Sequence, residues 1–100
     1  MIRDRLPHLA HFFGAYFHED WDFDDPDDRA VVDRFLRCES RERVDYARVE
    51  INHLLAMPLA DEELSEVVFR DLGCYYTPEP DVPMRQWLRS VGDLLGQDAS

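Results

Sequence analysis

Lysine is missing from this 100-residue chain: its eleven basic residues are all arginine, set against twenty-two acidic ones. A formal net charge of −11 repels nucleic-acid phosphate and anionic membrane surfaces and steers instead towards basic proteins. Glycine is scarce, with only Gly14, Gly73, Gly92 and Gly96, so no glycine-rich phosphate loop and no nucleophile elbow can be assembled. Cysteine is nearly absent too. Cys38 and Cys74 fit no metal-ligand spacing and read as reduced, partly buried thiols. Nowhere does the chain approach the roughly 18 consecutive apolar residues that cross a bilayer. Its opening, MIRDRLPHLAHFF, is interrupted by charge and proline where a signal peptide has an unbroken apolar stretch. These absences lead us to expect a cytoplasmic protein without a membrane role.

What is present is helical periodicity. Leu6, Leu9, Phe12, Phe13, Tyr16 and Phe17 recur at the spacing of one helix face and predict a helix over about 7–17, with Pro7 in its first turn. Asp25-Pro26 reads as a cap followed by proline at the first helical position, opening a helix over about 26–38 with Val31, Val32, Phe35 and Leu36 inward. Ser40 can cap a third helix, about 41–57, which buries Val44, Ala47, Ile51, Leu54 and Leu55. Asp61 can cap a fourth, carrying Leu64, Val67, Val68 and Leu72 inward and ending at Gly73. Three prolines, Pro78, Pro80 and Pro83, stiffen the 74–82 connector. Beyond it Met84, Trp87, Leu88, Val91 and Leu95 form the most regular stripe in the chain. No alternating run predicts a strand. The expected fold is an all-α, compact single-domain bundle of about five helices spanning 1–100.

Charge is concentrated as well as abundant. In YFHEDWDFDDPDD, residues 16–28, seven carboxylates run from Glu19 to Asp28 without a basic residue. Asp20, Asp22 and Asp24 alternate as in a calcium loop, but the sixth and twelfth loop positions hold Asp25 and Val31 where that loop needs Gly and a bidentate Glu. His18-Glu19 has no second histidine one turn on, so the zinc-protease pattern is missing. His8, His11 and His18 read as solvent-facing or packed side chains, and no metal or cofactor is expected. A solvated acidic loop also lacks the burial that separates carboxylate pKa values for acid–base catalysis, which argues against an enzyme. Asp25, Asp27 and Asp28 are locally accounted for at a helix N-terminus. Phe17, Trp21 and Phe23 alternate with the acids and are expected to tuck onto the core. Glu19, Asp20, Asp22 and Asp24 then repel one another, a cost that a basic partner would relieve.

FFGAYFHEDWD at 12–22, LGCYYTP at 72–78 and WL at 87–88, in that order within a small acidic helical chain, resemble the CdiI-type immunity proteins of bacterial contact-dependent growth inhibition (CDI) systems. The resemblance spans about 6–95. It implies an antidote, monomeric when free, that binds the C-terminal toxin domain of a large surface protein, commonly a nuclease with a positively charged groove. Members neutralise different toxins, so the shared residues Phe17, His18, Asp20, Trp21, Asp22, Gly73, Cys74 and Trp87 are expected to hold the fold, with Asp20 or Asp22 capping a helix or bonding to a buried His18. Toxin contact is expected from Asp24, Asp25, Asp27 and Asp28, from a second patch of Glu62, Glu63 and Glu66, and from Tyr75 and Tyr76. A second reading is an acidic regulatory or adaptor domain that docks a basic protein, including by nucleic-acid mimicry.

Overall fold

The computed structural model describes residues 2–78 and 81–96, and of Ile2, Arg3 and Asp24 the backbone alone. Among the described residues the regular structure is entirely helical. A single turn α1 (Ile2–Arg5) precedes α2 (Pro7–Tyr16), and another, α3 (Trp21–Asp24), lies in the acidic stretch. α4 (Asp28–Cys38), α5 (Arg41–Leu55), α6 (Asp61–Glu66) and α7 (Met84–Gly96) follow, with α6 widening into a π-helical turn over Val67–Asp71. Pro80 of the expected connector lies outside the described residues.

α5 is the central element, packed along α7 on one side and α2 on the other. The inward stripes are buried as the periodicity requires: Phe12 and Phe13 on α2, Phe35 on α4, Ile51 and Leu54 on α5, and Leu88 and Val91 on α7. Where these faces converge, aromatic rings fill the core. Trp87 stacks on Tyr76 with ring centroids 4.8 Å apart and meets Phe17 edge-on at 5.5 Å. Phe12 lies 4.1 Å from Phe35. Such pairs add to the stabilisation from area burial.

Several helix ends are capped otherwise than the sequence suggests. α4 starts at Asp28 rather than Pro26, because Asp27, not Asp25, supplies the cap: its Oδ1 accepts the Ala30 N–H at 2.9 Å. Asp25 is extended and buried, and its Oδ2 accepts from Arg34 Nη2 (2.8 Å) and Nε (3.2 Å). Ser40 caps α5 as expected, accepting the Arg43 N–H. α6 has Ala60, not Asp61, at its N-cap position, and Glu63 reaches back to the Ala60 N–H at 2.9 Å.

Asp61 instead accepts the Met84 and Arg85 N–H groups (3.1 and 3.0 Å), capping α7 from a neighbouring element. Pro83, which precedes α7, has no side-chain acceptor to offer. The same device operates at α2, whose N-cap residue is Leu6; buried Glu50 on α5 accepts the Leu9 N–H at 2.8 Å. Orphan N–H groups at a helix start need an acceptor, and here carboxylates distant in sequence provide it.

Gly73 ends the π turn at φ +75°, a left-handed conformation open to glycine. A Cβ there would lie 3.7 Å from the Gly14 Cα on α2, so the two glycines also mark a close approach of backbones.

Candidate functional site

The twenty-two acids divide by what they do in the folded chain. Asp25 is held by Arg34, Asp27 caps α4, and Asp28 Oδ2 accepts the Trp87 indole N–H at 2.8 Å. Glu63 closes the start of α6, while Asp61 and Glu50 cap α7 and α2. Glu39 accepts the Tyr16 hydroxyl at 2.6 Å and pairs with Arg43 at 3.3 Å. Burial, with that hydrogen bond and the Glu39 charge, pushes the Tyr16 phenol up to about 12. Each of these carboxylates has a structural task.

Other acids have none among the described residues. Glu19 and Asp22 on the acidic loop, and Glu62 and Glu66 on α6, are exposed and carry no side-chain bond to another described residue. Of the acids expected at a partner surface, Glu62 and Glu66 are exposed without such a bond, whereas Asp25, Asp27, Asp28 and Glu63 are bonded within the chain, Asp27 and Glu63 while remaining exposed. The Asp24 side chain lies outside the described residues.

The shared-motif residues sit mostly inside. Phe17 and Cys74 are buried, and Trp87 is at the centre of the ring cluster. Burial pushes the Cys74 thiol up to about 12, leaving it protonated and unreactive; Cys38 is exposed. Asp20 occupies the N-cap position of α3 without a side-chain bond, and its backbone N–H donates to His18 Nδ1 at 3.1 Å. His18 is half-buried and receives that N–H, so neither expected role for the Asp20 carboxylate is realised. Asp22 lies inside α3, not at its start, and points to solvent.

The aromatics separate in the same way. Phe17 and half-buried Trp21 tuck inward as expected, but Phe23 is 85% exposed. Its neighbour Trp21, two residues earlier, already takes the inward direction of the single turn α3. Tyr76 is packed among Phe17, Trp21 and Trp87, whereas Tyr75 is 47% exposed. Tyr75 meets the half-exposed Phe69 edge-on, centroids 5.2 Å apart.

Beside that pair runs an open groove of about 270 Å³ between α6 with its π turn and the 74–78 segment, floored by Val68, Cys74, Tyr76 and Met84. Phe69 was not singled out in the sequence. The available signal was the run Val67-Val68-Phe69, three successive apolar residues of which a helix cannot turn all three inward.

Among the described residues no group of three or more His, Cys, Asp or Glu side chains could hold a metal ion, and no helix is long and apolar enough to cross a membrane. The surface offers charge and exposed aromatic rings, which suit protein recognition.

The sequence profile of the CdiI immunity protein family matches residues 5–95. No curated protein matches the chain. Among solved structures, a chain of the CdiA-CT/CdiI complex from Y. kristensenii 33638 superposes with a TM-score of 0.88 at 23% identity, covering 96% of this chain and 99% of that one. At that identity the likeness is one of fold.

Proposed function

This chain belongs to the CdiI immunity protein family, and from that premise we propose that it binds and neutralises the C-terminal toxin domain of its cognate CDI surface protein, in the cytoplasm of the cell that makes both. The family match over 5–95 carries the reading. Two further observations support it. The protein of like fold was crystallised as a CdiA-CT/CdiI complex. The net charge of −11 and the exposed carboxylates Glu19, Asp22, Glu62 and Glu66 suit a basic partner.

The toxin domain is a nuclease in this proposal. A nuclease presents cationic side chains to phosphate, and an acidic protein surface can occupy that groove and deny it to nucleic acid. The immunity protein acts as a monomer, by occlusion and without a cofactor. None of its carboxylates needs a shifted pKa for that task, because binding uses their charge rather than proton transfer.

Co-expression with the toxin domain encoded upstream tests the reading. Growth rescue, a co-purifying complex and loss of nucleic-acid cleavage by the isolated toxin domain on adding the chain are expected. A toxin domain that kills regardless and does not co-purify overturns it.

A further inference from the structure

Leu64, Val68 and Leu72 are all buried on one face of α6 and its extension. Residues spaced by four drift steadily around a regular α-helix. The π turn, in which the Leu72 N–H reaches the Val67 carbonyl at 3.0 Å, widens the helix and holds the three in line. Phe69 is the residue this arrangement turns outward, 50% exposed. Tyr75 is fixed beside it, because its backbone N–H donates to the Phe17 carbonyl at 2.8 Å and ties the segment to the core. Phe69 thus lines the 270 Å³ groove together with Val68, Cys74, Tyr76 and Met84, and Tyr75, outside the groove, packs edge-on against Phe69.

A lone exposed aromatic is ordinary, but an edge-to-face pair at the edge of a groove, on fixed backbone, is a preorganised contact surface. Its rim has a sign. Asp61, Ser65, Val68 and Phe69 line the groove from α6 and the π turn; Glu62 and Glu66, each one residue further round the helix, flank it one turn apart and are exposed.

Resting on the immunity reading, we propose that this groove is the anchoring site for the toxin domain. It receives an apolar or aromatic side chain from a protruding segment of that domain, with Phe69 contacting it from the groove wall, Tyr75 supporting Phe69 and extending the contact outside the groove, and Glu62 and Glu66 pairing with Arg or Lys residues beside it. An arginine of that segment can also lie over the Phe69 face. Central aromatic contacts of this kind set how long a complex lasts, while rim charges set how fast it forms.

Surface-immobilised toxin domain, probed with purified chain variants, separates these roles. Phe69→Ala and Tyr75→Ala, made singly because each ring is half-exposed and removable without a core cavity, should each raise the dissociation rate by about tenfold or more. Glu62→Gln with Glu66→Gln should instead slow association and weaken its salt dependence. Circular dichroism and thermal melts should match the unaltered chain, so that the loss is one of contact. Phe69→Ala and Tyr75→Ala variants that dissociate at the unaltered rate overturn the groove as anchor while the unaltered chain still binds. If the unaltered chain fails to bind the toxin domain at all, the immunity reading falls and takes the groove with it.

Discussion

Trp87 ties several elements together at the centre of the core. Its ring stacks on Tyr76, lies parallel to Phe13 with centroids 6.0 Å apart and meets Phe17 edge-on, and its indole N–H is satisfied by Asp28 on α4. It therefore joins α7 to α2, α4 and the 74–78 segment. Trp87→Ala should cost about 3–5 kcal/mol, the range for emptying a buried aromatic site. Trp87→Phe keeps much of the volume and loses the hydrogen bond, leaving an Asp28 oxygen without that donor, and should cost less. Urea unfolding of the two variants checks the order. Equal stability of Trp87→Ala and the unaltered chain would contradict the packing described. Tyr76 belongs to the same cluster, so its truncation tests the fold, whereas truncation of exposed Tyr75 tests recognition.

Helix by helix, the stripes were legible and the ends much less so. Met84, Trp87, Leu88, Val91 and Leu95 all lie inward because a 3.6-residue period leaves one consistent face. Capping depends on which acceptor is nearby in space. Asp25, Asp27 and Asp61 look interchangeable in sequence, yet one pairs with Arg34, one caps its own helix and one caps a helix more than twenty residues away. Glu50 was hidden for the same reason, since its partner is the Leu9 N–H on another helix. The π turn has no sequence period of its own. The candidate site was half legible: charge pointed to Glu62 and Glu66, but the exposure of Phe69 and Phe23 followed from turns that periodicity does not register. The caps supply a test at this scale. Asp61→Ala should cost about 0.5–2 kcal/mol and speed amide hydrogen exchange selectively at Met84 and Arg85. Unchanged exchange there would mean that α7 holds its first turn without Asp61.

Across the whole molecule some acids are bonded within the fold and others carry no such bond among the described residues, and mutation can separate their effects. Asp25→Ala removes two charge-assisted hydrogen bonds with Arg34 and should lower stability by about 1.5–3 kcal/mol. Because that charge is already paired, its loss should leave association with the toxin domain little changed once folding is allowed for. Glu19→Gln and Asp22→Asn together should do the reverse. Glu19 and Asp22 are exposed, carry no side-chain bond to a described residue, and repel each other in the free protein. Long-range attraction from a net charge of −11 should bring association to the order of 10⁸ M⁻¹s⁻¹ at low salt, falling steeply as the screening length shrinks towards about 8 Å at physiological ionic strength. The double variant should associate more slowly and respond less to salt, with the dissociation rate nearly unchanged and the melting temperature equal or higher. Stopped-flow mixing with the toxin domain over a salt series reads all of these. Association indifferent to both salt and the double substitution would show that the loop is only a solvated turn, and that binding is governed by the groove beside Phe69 and Tyr75 without electrostatic guidance.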